Sequence, residues 1–174
     1  KKWFENLRAG RVFVSNGPLL RCRANGQLPG HVFNIRKGEK LTIELEAKLD
    51  SRDPIAVVEV IQNGKLVSSA CGCDWNSGDP LEKLTFEDSG WFLVRTLADV
   101  PDTFRFASTG PFYVEREDAP QRISKSSAQF FLDWVRERTA RVKIEDRAEA
   151  EEVLRYHHDA ERFWQEKAAQ ANAE

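Results

Sequence analysis

A chain of 174 residues with 41% hydrophobic and 10% aromatic residues can bury a core without staples, and this composition excludes a disordered segment. Lys and Arg number 26 against 28 Asp and Glu, a formal net charge of −2, so no global field gathers a polyanion and nucleic acid is not an expected partner. No apolar run approaches the ~20 residues that cross a bilayer, so no membrane span is expected, and no signal-peptide core follows Lys1 and Lys2.

The sequence holds no methionine, and it reads as an excised or processed piece of a longer polypeptide. Cys22, Cys71 and Cys73 are too few, and odd in number, for a disulfide framework. The Cys71-Gly72-Cys73 spacing suits neither a zinc site, which needs about four convergent ligands, nor the usual redox dithiol. The expectation is incidental cysteines near a strand end.

Residues 3–9 read as the end of a helix closed by Gly10, with Trp3, Phe4 and Leu7 wanting an apolar partner. A β-prone run over 11–15 stops at Asn16-Gly17-Pro18, and a further extended piece covers 19–23. Asn25-Gly26 and Pro29-Gly30 bracket a loop before a strand at 31–35. From Leu41 to Ala47 apolar and polar residues alternate with the period of two that marks a half-buried strand. The β-branched run 55–61 is joined to 65–69 through Asn63-Gly64, the strongest short-range hairpin signal. Residues 72–80 are a polar loop, and strands follow at 81–86, 91–95, 104–106 and 111–115.

Eight to ten short strands at this spacing, with no helices between them, predict an antiparallel Ig-like β-sandwich, although barrel closure fits the same pattern. Asp118-Ala119-Pro120 marks a boundary. Beyond it Ser124 or Ser126 can cap a helix with Ala128, Phe131, Leu132, Val135 and Val142 along one face. Asp146 begins a second helix with Glu149 as its capping-box partner, and its stripe runs from Ala150 to Ala168 through His157 and Trp164. The predicted organisation is thus a mainly β chain with a C-terminal helical hairpin: 1–10 a helix end linking to an upstream domain, 11–118 the sandwich, 119–174 the helical tail.

Chemistry-bearing residues are sparse. A hydrolytic metal site needs several His, Asp or Glu ligands, commonly announced by a close His pair. His157 and His158 are neighbours on a predicted helix and point about 100° apart. His31 stands by itself after Pro29-Gly30. No nucleophile elbow, phosphate loop or dinucleotide glycine pattern occurs. The expectation is therefore a chain that is not an enzyme by itself, with no catalytic, cofactor or metal residues of its own. Asp88-Ser89-Gly90-Trp91-Phe92 is similar to the corner before a central Ig-like strand, except that the tyrosine hydroxyl of such corners is missing. Trp75 and Trp91, if both are exposed, form a candidate ligand-stacking pair, and a carbohydrate- or surface-binding module is the alternative reading.

The stretch Arg8-Ala9-Gly10-Arg11-Val12-Phe13-Val14-Ser15-Asn16-Gly17-Pro18 resembles the segment that follows the catalytic barrel in PHP-type metallohydrolases of the CehA/McbA group. The likeness continues in blocks at 25–30, 58–64, 89–95 and 107–114. In that family the metal ligands lie in the preceding barrel, and none matches a position here. The resemblance implies a non-catalytic accessory sandwich that packs on or covers an upstream catalytic domain of the same polypeptide. It also makes Asn16, Gly17 and Pro18 a candidate loop at the domain junction.

Overall fold

Side chains alternate between core and solvent along most strands, and this period of two places the core. The computed structural model describes residues 1–72, 81–119 and 121–174, which divide into two compact units, Lys1–Gln121 and Arg122–Glu174. In the first unit β2 (Leu19–Ala24) buries Leu20, Cys22 and Ala24, and β5 (Leu45–Asp50), paired antiparallel to it, buries Leu45 and Ala47. A second two-stranded sheet joins β4 (Leu41–Ile43) to β8 (Leu84–Phe86) and contributes Ile43, Leu84 and Phe86.

The remaining strands form one seven-stranded sheet built around β9 (Gly90–Ala98). One edge of β9 pairs with β6 (Ile55–Gln62), which pairs in turn with β7 (Lys65–Cys71). The other edge is shared by β11 (Phe112–Arg116) and β10 (Phe106–Thr109). Beyond them lie β3 (Val32–Ile35) and β1 (Phe13–Ser15). Val58, Val60, Phe92, Val94, Phe112 and Val114 project from this sheet into the same core as the two small sheets. Phe92 and Phe112, directly opposite in register, stack at 4.9 Å.

Local chemistry explains these elements. Asn63 and Gly64 carry φ of 52° and 82°, the two positive values of a type I′ turn, and join β6 to β7 as the sequence predicts. Gly110 and Pro111 interrupt the edge between β10 and β11, and there the Thr109 hydroxyl accepts from Val94 N–H at 3.1 Å, so the buried amide keeps a partner.

The structure corrects several expectations. The alternating run 41–47 is two strands, because Asn25 intervenes at Glu44: Glu44 N–H donates to Asn25 Oδ1 at 2.8 Å and Asn25 N–H to Glu44 O at 2.9 Å. The side-chain alternation survives the break, but the ladder partner changes from β8 to β2. The sheet is not wholly antiparallel, since β3 runs parallel to β11; the long chain between them supplies the crossover that such a pair requires. The strand expected at 104–106 is β10, two residues later, because the Asn16 side chain occupies Phe104 O and Phe106 N–H. Arg11 and Val12 belong to the link before β1, β8 begins at Leu84, and β9 extends to Ala98. Among the described residues there are eleven strands.

The first unit runs to Gln121, and Ala119 is tied to it: Ala119 O accepts from the Ser89 hydroxyl and Ala119 N–H donates to Arg116 O at 2.9 Å. In the second unit α2 (Lys125–Ala140) starts at Ser124, whose hydroxyl accepts from Ser127 N–H at 3.2 Å. It stops short of Val142, whose N–H bonds Thr139 O in a tightened last turn. α3 (Arg147–Ala169) is capped by Asp146, which accepts from Glu149 N–H at 2.8 Å. Phe131 and Trp164 stack at 4.6 Å between the two helices, and Ile123 N–H donates to Asn172 Oδ1 at 2.9 Å, closing the open end of the hairpin.

Candidate functional site

The Asn16-Gly17-Pro18 turn is tied to the sheet through the Asn16 side chain and backbone N–H. Asn16 Nδ2 donates to Phe104 O at 2.7 Å, its Oδ1 accepts from Phe106 N–H at 2.8 Å, and its own N–H reaches Phe106 O at 3.2 Å. The side chain thus continues the β1–β10 ladder past the end of β1. Ser15 Oγ accepts from Gly17 N–H at 3.0 Å and donates to Pro18 O, and Pro18 is buried. A Cβ at Gly17 would stand 3.3 Å from Arg105 Cδ, where the Arg105 stem passes to its ion pair with Asp53 at 2.7 Å.

Immediately before β1 three glycines meet. α1 (Lys2–Arg8) ends in a Schellman motif: Gly10, at φ 67°, donates to Leu7 O at 3.1 Å, and Arg11 N–H donates to Asn6 O at 2.9 Å. The turn then lies flat on Gly30, where a Cβ would stand 1.8 Å from Ala9 O, and on Gly110, where a Cβ would stand 2.7 Å from Gly10 O. Gly110 N–H donates to Val12 O at 2.7 Å and Gly30 N–H to Pro111 O at 2.8 Å. This junction sits where β10 gives way to β11. Each glycine carries a turn signal in the sequence, but their convergence over 100 residues does not.

The glycines fix the exit of α1 while its side chains stay in solvent. Trp3 is 68% exposed, Phe4 63% and Leu7 49%, and no residue of α1 is buried. Trp3 and Phe4 make an edge-to-face contact at 4.9 Å. The helix is therefore an apolar surface held at a defined point of the β unit.

The other sequence candidates are dispersed. Trp91 is half-buried, and its N–H donates to Asn63 Oδ1 at 2.9 Å; Trp75, its suggested stacking partner, and Cys73 lie outside the described residues. His31 packs edge-on against Phe33 at 4.6 Å. His157 Nδ1 lies 3.1 Å from Thr139 Oγ1, whereas His158 is exposed, so the pair faces two environments. Cys71 is disulfide-bonded, and Cys22 is a free thiol that burial, with a smaller contribution from Glu46, pushes up to about 12. Among the described residues no three or more His, Cys, Asp or Glu side chains are grouped to hold a metal ion.

Sequence reasoning noticed the missing tyrosine of the 88–92 corner but not its substitute. The Ser89 hydroxyl accepts from Arg116 N–H at 2.8 Å and donates to Ala119 O, while Arg116 pairs with Asp88 and, at 2.6 Å, with Asp118. A serine three residues ahead of a core aromatic is too common a pattern to have shown this.

No family model matches the chain, and no curated protein matches it. Among solved structures it is similar to a chain from the structures of the Clostridium thermocellum CbhA fibronectin(III)-like modules. The identity is 22%, the match covers 55% of this chain and 94% of that one, and the TM-score is 0.33. So loose a likeness bears on neither the fold in detail nor the function.

Proposed function

We propose that the chain is a non-catalytic accessory module, an Ig-like sandwich with a helical hairpin, that packs on or covers the catalytic barrel of a metal-dependent hydrolase in the same polypeptide. One observation carries the reading: α1 leaves three large apolar side chains in solvent, yet its C-terminus is locked onto the β unit by Gly10, Gly30 and Gly110. A helix of seven residues has little stability of its own. Burying the exposed parts of Trp3, Phe4 and Leu7 against a neighbour would contribute roughly 1–2 kcal/mol each. Holding the helix at a fixed exit removes much of the ordering cost of that association, and covalent linkage makes the contact intramolecular.

The resemblance of residues 8–18 to the segment after the barrel of PHP-type metallohydrolases supports the choice of neighbour. In this reading the Asn16-Gly17-Pro18 turn stands one strand away from the junction, and its own bonds make it a brace for the link. The test is direct. The purified chain, assayed with chromogenic phosphate, carboxylate-ester and amide substrates and added zinc or manganese, is expected to show no turnover. Turnover that a chelator abolishes would contradict the proposal.

A further inference from the structure

A groove of about 400 Å³ opens beside β2, with Val12, Phe13 and Leu28 among its apolar lining. Its charged lining is one-sided: Arg11, Arg21, Arg23 and Lys48 against the single carboxylate Glu46. This bias is local, since the whole chain carries a net charge of −2.

The β2–β5 register sharpens the point. Arg23 stands opposite Glu46, an ordinary cross-strand pairing of charges, but Arg21 stands directly opposite Lys48. Like charges facing each other across a ladder destabilise the pair. Among the described residues none of the four cations has a carboxylate within ion-pair distance. Arg23 is steadied instead by donating from Nη1 to Gly26 O at 2.8 Å. A second hollow shares Arg11, Arg23 and Leu28 with the groove and extends it to His31.

We propose that this groove is a binding site for a small organic anion, a phosphate or carboxylate head attached to an apolar body. The unpaired Arg21 and Lys48, with Arg11, supply the charge-assisted donors that such a head recognises. The apolar walls take the body, and the volume suits a ligand of small-molecule size, near the lower end of the roughly 300–1,000 Å³ typical of such sites. A long polyanion is disfavoured by the acidic remainder of the surface. Neither α1 nor a neighbouring domain is needed, so failure of the docking proposal would leave this one standing.

The experiment is an amide-resolved NMR titration of the chain with phenyl phosphate, benzoate and benzyl alcohol in low-salt buffer. Phenyl phosphate and, more weakly, benzoate are expected to give saturable shifts in residues 11–13, 20–23 and 46–48, and the neutral alcohol none. The double variant Arg21→Gln, Lys48→Gln removes the facing like charges, so it should fold at least as stably and bind phenyl phosphate about tenfold or more weakly. Absence of saturable shifts in the groove with either anion, equal binding of benzyl alcohol, or unchanged affinity in the folded double variant would overturn the proposal.

Discussion

Asparagine side chains stand in for backbone at three places in the β unit. Asn16 serves Phe104 and Phe106, Asn25 serves Thr42 and Glu44, and Asn63 accepts from Trp91 N–H. An amide side chain offers N–H donors beside a carbonyl acceptor, the same groups a peptide unit presents, so it can extend a ladder where the main chain turns away. Asn16→Ala removes two bonds of this kind and should lower stability by roughly 1–3 kcal/mol. Asn16→Asp, which keeps the acceptor and loses the donor, should fall between. Urea unfolding monitored by circular dichroism measures both, and an Asn16→Ala variant as stable as the parent would show that the ladder extension is dispensable. The sequence marked Asn16-Gly17-Pro18 as a turn, which is a local property. It could not show that the Asn16 amide is committed to partners some 90 residues away, and so left the turn open as a junction loop.

Among elements, the most legible were those specified by neighbours in sequence. The Asn63-Gly64 hairpin, the caps at Ser124 and Asp146 and the burial of Ala128 and Leu132 on α2 all follow from patterns within a few residues. The division of 41–47 into β4 and β5 was hidden because alternation reports which face is buried, not which strand is paired. The parallel β3–β11 pair was hidden for the same reason. The glycine junction is the element-scale feature with the sharpest prediction. At Gly30 a methyl group would meet Ala9 O at 1.8 Å in a backbone of φ 83°, whereas at Gly26, with φ 76°, it would meet nothing within 4 Å. Gly26→Ala should therefore cost only the roughly 1–2 kcal/mol of a left-handed alanine. Gly30→Ala should cost more, because the α1 turn must also lift off the β unit. Thermal denaturation of the two variants side by side gives the comparison, and equal costs would mean that the close approach at Gly30 is not structurally required.

At the scale of the whole molecule, composition and periodicity sufficed for a mainly β unit followed by a helical hairpin, because buried faces leave a regular trace in sequence. Strand order and the meeting of Gly10, Gly30 and Gly110 depend on contacts distant in the chain and left no such trace. The exposure of Trp3, Phe4 and Leu7 is the physical basis of the proposal that α1 docks on a neighbouring domain. Hydrogen–deuterium exchange of residues 2–8, in the chain alone and in a longer polypeptide in which the proposed catalytic barrel precedes it, tests that proposal most directly. Fast exchange in isolation, reflecting a short helix open to water, should give way to strong protection in the longer polypeptide, and equally fast exchange in both would contradict the docking role.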